Sequence, residues 1–164
     1  MKGNPEVIDH LKEALQAELT AISQYFLHAA MCKDWGYDKL YQYVRTESIE
    51  EMRHAEALIE RILFLDAIPN LREMFPLTIG EDVKAQLQND LNLELEALPR
   101  LNAAIKASQE AGDNGSRDLF QKILNDEERH VDFLEAQLTM IEQMGIGVYL
   151  SQQMGEESGG EGGG

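Results

Sequence analysis

Apolar side chains recur along this chain at intervals of three and four, the period of an amphipathic helix rather than a strand. The stripe Leu11, Leu15, Ile22, Tyr25 and Ala29 predicts a first helix from about Pro5, a residue suited to opening one, to about Asp34. Trp35-Gly36-Tyr37-Asp38 reads as a tight link. Leu40, Val44, Leu58, Ile62 and Leu65 predict a second helix over roughly Lys39 to Leu65. The next segment, DAIPNLREMFPLTIGED, holds Pro69, Pro76 and Gly80 without a sustained period, so a long connection is expected. Val83, Leu87, Leu98, Leu101 and Ile105 predict a third helix from about Glu81 to Ala111, with Pro99 inside it removing one backbone hydrogen bond and kinking the axis. After GDNG, a fourth helix on Phe120, Ile123, Leu134, Leu138 and Ile141 runs from about Ser116 to Met144. Gly145-Ile146-Gly147 stops it, and VYLSQQM suits a short fifth helix. Two short links and one long one describe an all-α four-helix bundle whose second-to-third connection crosses the length of the bundle.

Each of the four stripes is interrupted near its middle by a carboxylate: Glu18, Glu51, Glu94 and Glu127. Two interruptions continue three residues later, as His54 and His130. A glutamate on the core face of a bundle is costly unless it is paired or binds metal. The spacing is the stronger signal. Glu18 to Glu51 and Glu94 to Glu127 are both 33 residues, and adding 76 carries Glu18, Glu51 and His54 onto Glu94, Glu127 and His130. This is a pseudo-repeat of two helical hairpins, each offering one Glu and one Glu-x-x-His. Residues three apart share a helix face, so each Glu-x-x-His can grip one ion, while Glu18 and Glu94 complete or bridge the pair. Carboxylate with imidazole suits iron or manganese, and six ligands for two metals leave positions open for dioxygen. The competing interpretation is a buried polar network without metal.

Other residues near this register have simpler roles. Glu47, Glu50 and Glu56 are expected on a solvated or cavity-facing surface, and His10 and His28 in structural or exposed positions. Tyr25, two turns after Glu18, suits a core aromatic donating a hydrogen bond, and it also lies where an oxidisable phenol beside the metals would lie. Met52 follows Glu51 by one residue and so turns about 100° away from the stripe. Its side chain suits an interface hydrophobe or a thioether ligand to a soft centre such as haem iron.

The 164 residues suffice for one domain with its own core, and the formal charge of −16 argues against phosphate backbones and anionic membranes as partners. Cations are the natural counterpart. The single cysteine, Cys32, leaves no internal disulfide, fits a reducing compartment, and reads as a small buried apolar residue. The amino end is amphipathic without a signal-type apolar core, and no run approaches the roughly 18 apolar residues of a membrane span, so a cytoplasmic protein is expected. Residues 155–164, glycine- and glutamate-rich, read as a flexible tail on a domain spanning 1–154.

The segments MKGNPEVIDHL, ELTAISQYFLH, ESIEEMRHAE, ERILFLDAIPNL, DLNLELEAL and DEERHVDFLEAQL resemble the bacterioferritin family over nearly the whole chain. The resemblance implies a ferritin-like bundle, 24 copies forming a hollow shell from two-fold dimers, and a di-iron centre that oxidises Fe(II) with ferric product stored inside. It implies Glu18, Glu51, His54, Glu94, Glu127 and His130 as ligands. Met52 would join its symmetry mate across a dimer interface to hold one haem b, with electrons from a ferredoxin-type donor releasing iron. The second Glu-x-x-His copy has Glu128 at the matching place, which is no thioether. Some family members carry an extra inner-surface iron site, with a histidine and an aspartate where this chain has Thr46 and Glu50. Thr46 is a poor iron ligand, so that site is not expected in the same form. A di-iron oxidase with an organic substrate would use the same six ligands, and a haem-bridged electron carrier would leave them inert.

Overall fold

A computed structural model describes residues 1–155. Five helices account for the fold, and no strand occurs among the described residues: α1 (Pro5–Asp34), α2 (Asp38–Phe64), α3 (Val83–Glu110), α4 (Asn114–Met144) and α5 (Ile146–Ser151). The periodicity and the bundle implied by the resemblance are both met in this order of elements. The proposed tail lies outside the described residues, apart from Gly155.

Local chemistry sets the helix ends. Asn4 caps α1, its side-chain oxygen accepting from the N–H groups of Glu6 and Val7 at 2.9 and 3.2 Å, with Pro5 in the first turn. Gly36, at φ +86°, turns the chain from α1 into α2 where an L side chain would be strained. Asp113 caps α4 by accepting from Ser116 N–H at 3.0 Å, so α4 opens two residues before Ser116. Gly145 alone breaks α4 from α5, and Gly147 falls within α5, which therefore starts earlier than VYLSQQM suggests. Tyr149 anchors α5, fully buried with its hydroxyl donating to Gln137 Oε1 at 2.7 Å. Helix α3 runs through Pro99 without a break.

Packing pairs α1 with α2 and α3 with α4 as hairpins, joined chiefly through α1 against α3. Two apolar clusters fill the bundle on either side of its middle. One gathers Leu11, Leu15, Leu58, Ile62, Phe120 and Ile123, and the other Leu40, Leu87, Leu91, Leu134, Ile141 and Tyr149. Each such fully buried side chain stabilises the fold by roughly 1.5–3 kcal/mol. Cys32 lies in the second cluster, its thiol donating to Gln86 Oε1 at 3.3 Å and pushed up to about 11 by burial and then by the charge of Asp90.

The crossover between α2 and α3 is laid along α1 by a ladder. Phe75 N–H donates to Thr20 Oγ1, Thr78 N–H to Gln24 Oε1 and Gly80 N–H to His28 Nε2, at 2.8, 3.0 and 3.0 Å. The three acceptors are four residues apart, one per helical turn. Gly80 is required here, because a Cβ would meet the backbone nitrogen of Gln86 at 2.3 Å. Below the ladder, Asp90 Oδ1 of α3 accepts from Gln24 Nε2 and His28 Nδ1, both at 2.9 Å. Since His28 Nε2 accepts from Gly80, the ring is neutral with its proton on Nδ1. His28 is thus a structural residue, as expected, but one with a buried carboxylate partner that its own helix does not reveal.

Candidate metal centre

Between the two apolar clusters, the four interrupted stripes converge. Glu18, Glu51, His54, Glu94, Glu127 and His130 are all buried. Their ligand atoms fall into two groups, Glu18, Glu51, His54 and Glu127, and Glu51, Glu94, Glu127 and His130, with the atoms of each group within 4.8 Å of one another. Glu51 and Glu127 belong to both groups. The shared positions are therefore the glutamates of the Glu-x-x-His pairs, and Glu18 and Glu94 each belong to one group only.

Both histidines turn Nδ1 inward. His54 Nδ1 lies 3.3 Å from Glu127, 3.4 Å from Glu51 and 3.5 Å from Glu18. His130 Nδ1 lies 3.1 Å from Glu51, 3.2 Å from Glu127 and 3.6 Å from Glu94. Each outer nitrogen meets a carboxylate from the opposite hairpin: His54 Nε2 reaches Asp126 Oδ2 at 2.7 Å, and His130 Nε2 reaches Glu50 Oε2 at 3.2 Å and Glu47 Oε2. Glu47 and Glu50 are therefore turned to His130 rather than to solvent, in contrast to the sequence expectation, while Glu56 is exposed. Tyr25 is buried with its hydroxyl donating to Glu94 Oε1. Thr46 Oγ1 bonds back to Gln42 O at 2.8 Å, away from any ligand role. Met52 is 54% exposed on the outside of α2.

Electrostatics make this cluster unstable as a bare polar network. Burial, then the charges of Glu51 and Glu127, hold the Glu18 carboxyl well above the usual range, and burial with Glu127 does the same to Glu94. Burial also pushes Glu51 upward, but the close approach of Glu18, His130 and His54 outweighs it and leaves Glu51 low. For both histidines burial works against the proton, yet the surrounding glutamates raise them far above the ordinary imidazole value. Tyr25 is raised by burial and then by Glu94. Even so, Glu18 Oε2, Glu51 Oε1, both Glu127 oxygens and His130 Nδ1 are buried without a hydrogen-bond partner. Buried acceptors of this kind call for a cation, and a carboxylate-imidazole donor set suits hard or borderline divalent metals. The residues fit a metal pair.

A small, mostly apolar cleft of about 20 Å³ adjoins the cluster, lined by Tyr25, Tyr43, Leu87, His130, Phe133 and Leu134. Tyr43 and Phe133 stack across it, ring centroids 3.6 Å apart.

A bundle with this crossover and a duplicated Glu-x-x-His is the architecture of ferritin-like proteins, and the ferritin-like domain family matches residues 8–144. Curated relatives are more specific. The bacterioferritin of Streptomyces coelicolor is 49% identical over 151 residues, covering 92% of this chain and 90% of that one. The bacterioferritin of Mycolicibacterium paratuberculosis is 45% identical over 93% of this chain and 96% of its own, and that of Brucella melitensis 46% identical over 88% and 90%. The chain belongs to the bacterioferritin family. Among the described residues, no helix is long and apolar enough to cross a membrane.

Proposed function

We propose that this chain stores iron and acts as a ferroxidase, oxidising Fe(II) at a di-iron centre built from Glu18, Glu51, His54, Glu94, Glu127 and His130. The observation that carries the reading is the pair of overlapping four-residue groups with unpartnered buried carboxylate oxygens. Iron is the substrate, and when bound it supplies the electrons that reduce dioxygen or peroxide. Glu51 and Glu127 would be shared between the ions, and four carboxylates would neutralise most of the incoming charge. Metal entry would displace the protons held at Nδ1 of His54 and His130, leaving each Nε2–H donating to Asp126 and Glu50 respectively. The Tyr25 hydroxyl would keep Glu94 oriented and stand ready as an oxidisable phenol.

The domain spanning 1–154 would assemble from two-fold dimers into a 24-subunit shell whose cavity holds the ferric mineral. Met52 would supply one thioether of an inter-subunit haem b. Its exposure fits, since a side chain free at the surface is available to a second copy. A ferredoxin-type protein would supply the electrons that release iron, in the cytoplasm. A second reading, oxidation of a small organic substrate, would need more room than the apolar cleft offers, since its volume of about 20 Å³ holds about one water.

The test is aerobic Fe(II) oxidation followed by absorbance, for the parent and a Glu18→Ala, Glu94→Ala double variant, with particle size measured on the same samples. Fast oxidation of two irons per chain, lost in the variant while large hollow particles persist, is the expected result. Equal, slow oxidation by both would leave the carboxylates structural. Oxidation without a hollow particle would favour the organic substrate.

A further inference from the structure

The outer nitrogens of the two histidines are tied together. Glu50 and Asp126 are 76 residues apart, the offset of the candidate ligands themselves. Each uses one oxygen inward and one outward. Asp126 Oδ2 meets His54 Nε2 and its Oδ1 lies 3.3 Å from Arg129 Nη1, while Glu50 Oε2 meets His130 Nε2 and its Oε1 lies 2.5 Å from Arg129 Nη2. A continuous bar results: His54, Asp126, Arg129, Glu50, His130. The repeat is broken at its centre. Arg53, the counterpart of Arg129, is exposed and makes no ion pair among the described residues.

We propose that Arg129 is a positioning residue for the metal pair, its guanidinium fork fixing Glu50 and Asp126 so that both imidazoles keep Nδ1 toward the metals. The inference rests on the di-metal reading above. Carboxylates on the far nitrogen of a metal-ligating histidine set its tautomer and ring orientation, and their loss typically weakens metal binding by 10–100-fold. A single planar fork can hold two carboxylates at once, which an ammonium does less well. Arg129 is 60% exposed, so its ion pairs contribute little to folding stability. Its charge alone would act in the opposite sense, because a cation beside the site repels a second cation. Removing a mere charge would tighten metal binding, whereas removing the brace loosens it.

The test is titration of the assembled, metal-free protein with Co(II), read by its visible absorption, for the parent, Arg129→Gln, Arg129→Lys and Arg53→Gln, with thermal midpoints alongside. The parent should take up two Co(II) per chain. Arg129→Gln should bind both ions more weakly by about tenfold or more, with an altered spectrum and little change in midpoint. Arg129→Lys, which keeps the charge without the fork, should keep the defect, and Arg53→Gln should titrate like the parent. The inference is overturned if Arg129→Gln binds equally or more tightly, if lysine restores the parent spectrum, or if Arg53→Gln loses as much. A parent that takes up no Co(II) would instead overturn the di-metal reading itself.

Discussion

Replacing Asp90 separates what a buried carboxylate does as an acceptor from what it does as a charge. Its Oδ1 is the common acceptor for His28 Nδ1 and Gln24 Nε2, both at 2.9 Å. Those side chains in turn hold the crossover through Gly80 and Thr78. Asp90→Ala strands two buried donors against a methyl group. At about 1–3 kcal/mol for each unsatisfied group, the loss is about 4 kcal/mol, within a range of roughly 2–6. For a domain of this size, that lowers the thermal midpoint by roughly 12 °C.

Asp90→Asn keeps an oxygen in place for both donors and removes the charge. Burial holds the Asp90 carboxyl above its ordinary value, only partly offset by His28 and Gln24, so the folded chain binds its proton more readily than the unfolded one. Stability from this group therefore falls as pH rises from about 3.9 through the folded value. The Asn variant lacks that slope, so it should melt close to the parent and gain on it as pH rises across the window. Melting curves of both variants and the parent, metal-free, at equal protein concentration and several pH values, provide the comparison. If the two variants melt together, the two donors do not depend on the Oδ1 position and the accounting above is wrong.

If Met52 holds haem as proposed, Met52→Leu, close to volume-conserving, should abolish the haem absorbance of the purified protein, while the initial rate of Fe(II) oxidation stays at the parent level. An equal loss of oxidation would tie the haem to the iron centre instead. At Asp113, burial works upward, but the Ser116 hydroxyl and N–H and the Arg61 guanidinium, whose Nη2 is 2.7 Å away, outweigh it and hold the carboxyl low. Its stabilisation is therefore present above the unfolded value of about 3.9 and is lost as pH falls through the folded one. Asp113→Ala should cost about 1–2 kcal/mol at neutral pH, through the lost cap, with the difference from the parent shrinking in acid. Melts at neutral and acid pH check this.

The six converging residues were readable from the sequence because each obeys its own helix period and the two hairpins repeat at a fixed offset. What periodicity could not say is which carboxylates are shared, since that depends on how far α2 stands from α4. The same distance turned Glu47 and Glu50 toward His130, though on their own helix they flank the buried stripe. The Asp90 network was hidden for a related reason. His28 and Asp90 are 62 residues apart on different helices, and neither carries a local partner. One signal was present: position 90 lies three residues after Leu87 and four before Glu94, which places this aspartate on their buried face beside Leu91. Pro99 proved compatible with an unbroken helix because it and Leu95, whose carbonyl loses its partner, lie on the exposed side where water can serve.

The division of the candidate ligands between hairpins bears on how the chain folds. α1 with α2, and α3 with α4, are formed by neighbours in sequence, so both hairpins can arise from local contacts before they meet. Each of the two four-residue groups, however, includes at least one residue from the other hairpin. No half-folded chain offers a complete grip, and docking brings four carboxylates together against their mutual repulsion. Metal would therefore act late, adding binding free energy to the docked state alone and withholding it from every partly assembled one. On the reading proposed here, the cargo would also select for correctly folded copies, and a cell short of iron would accumulate this protein in its least stable form.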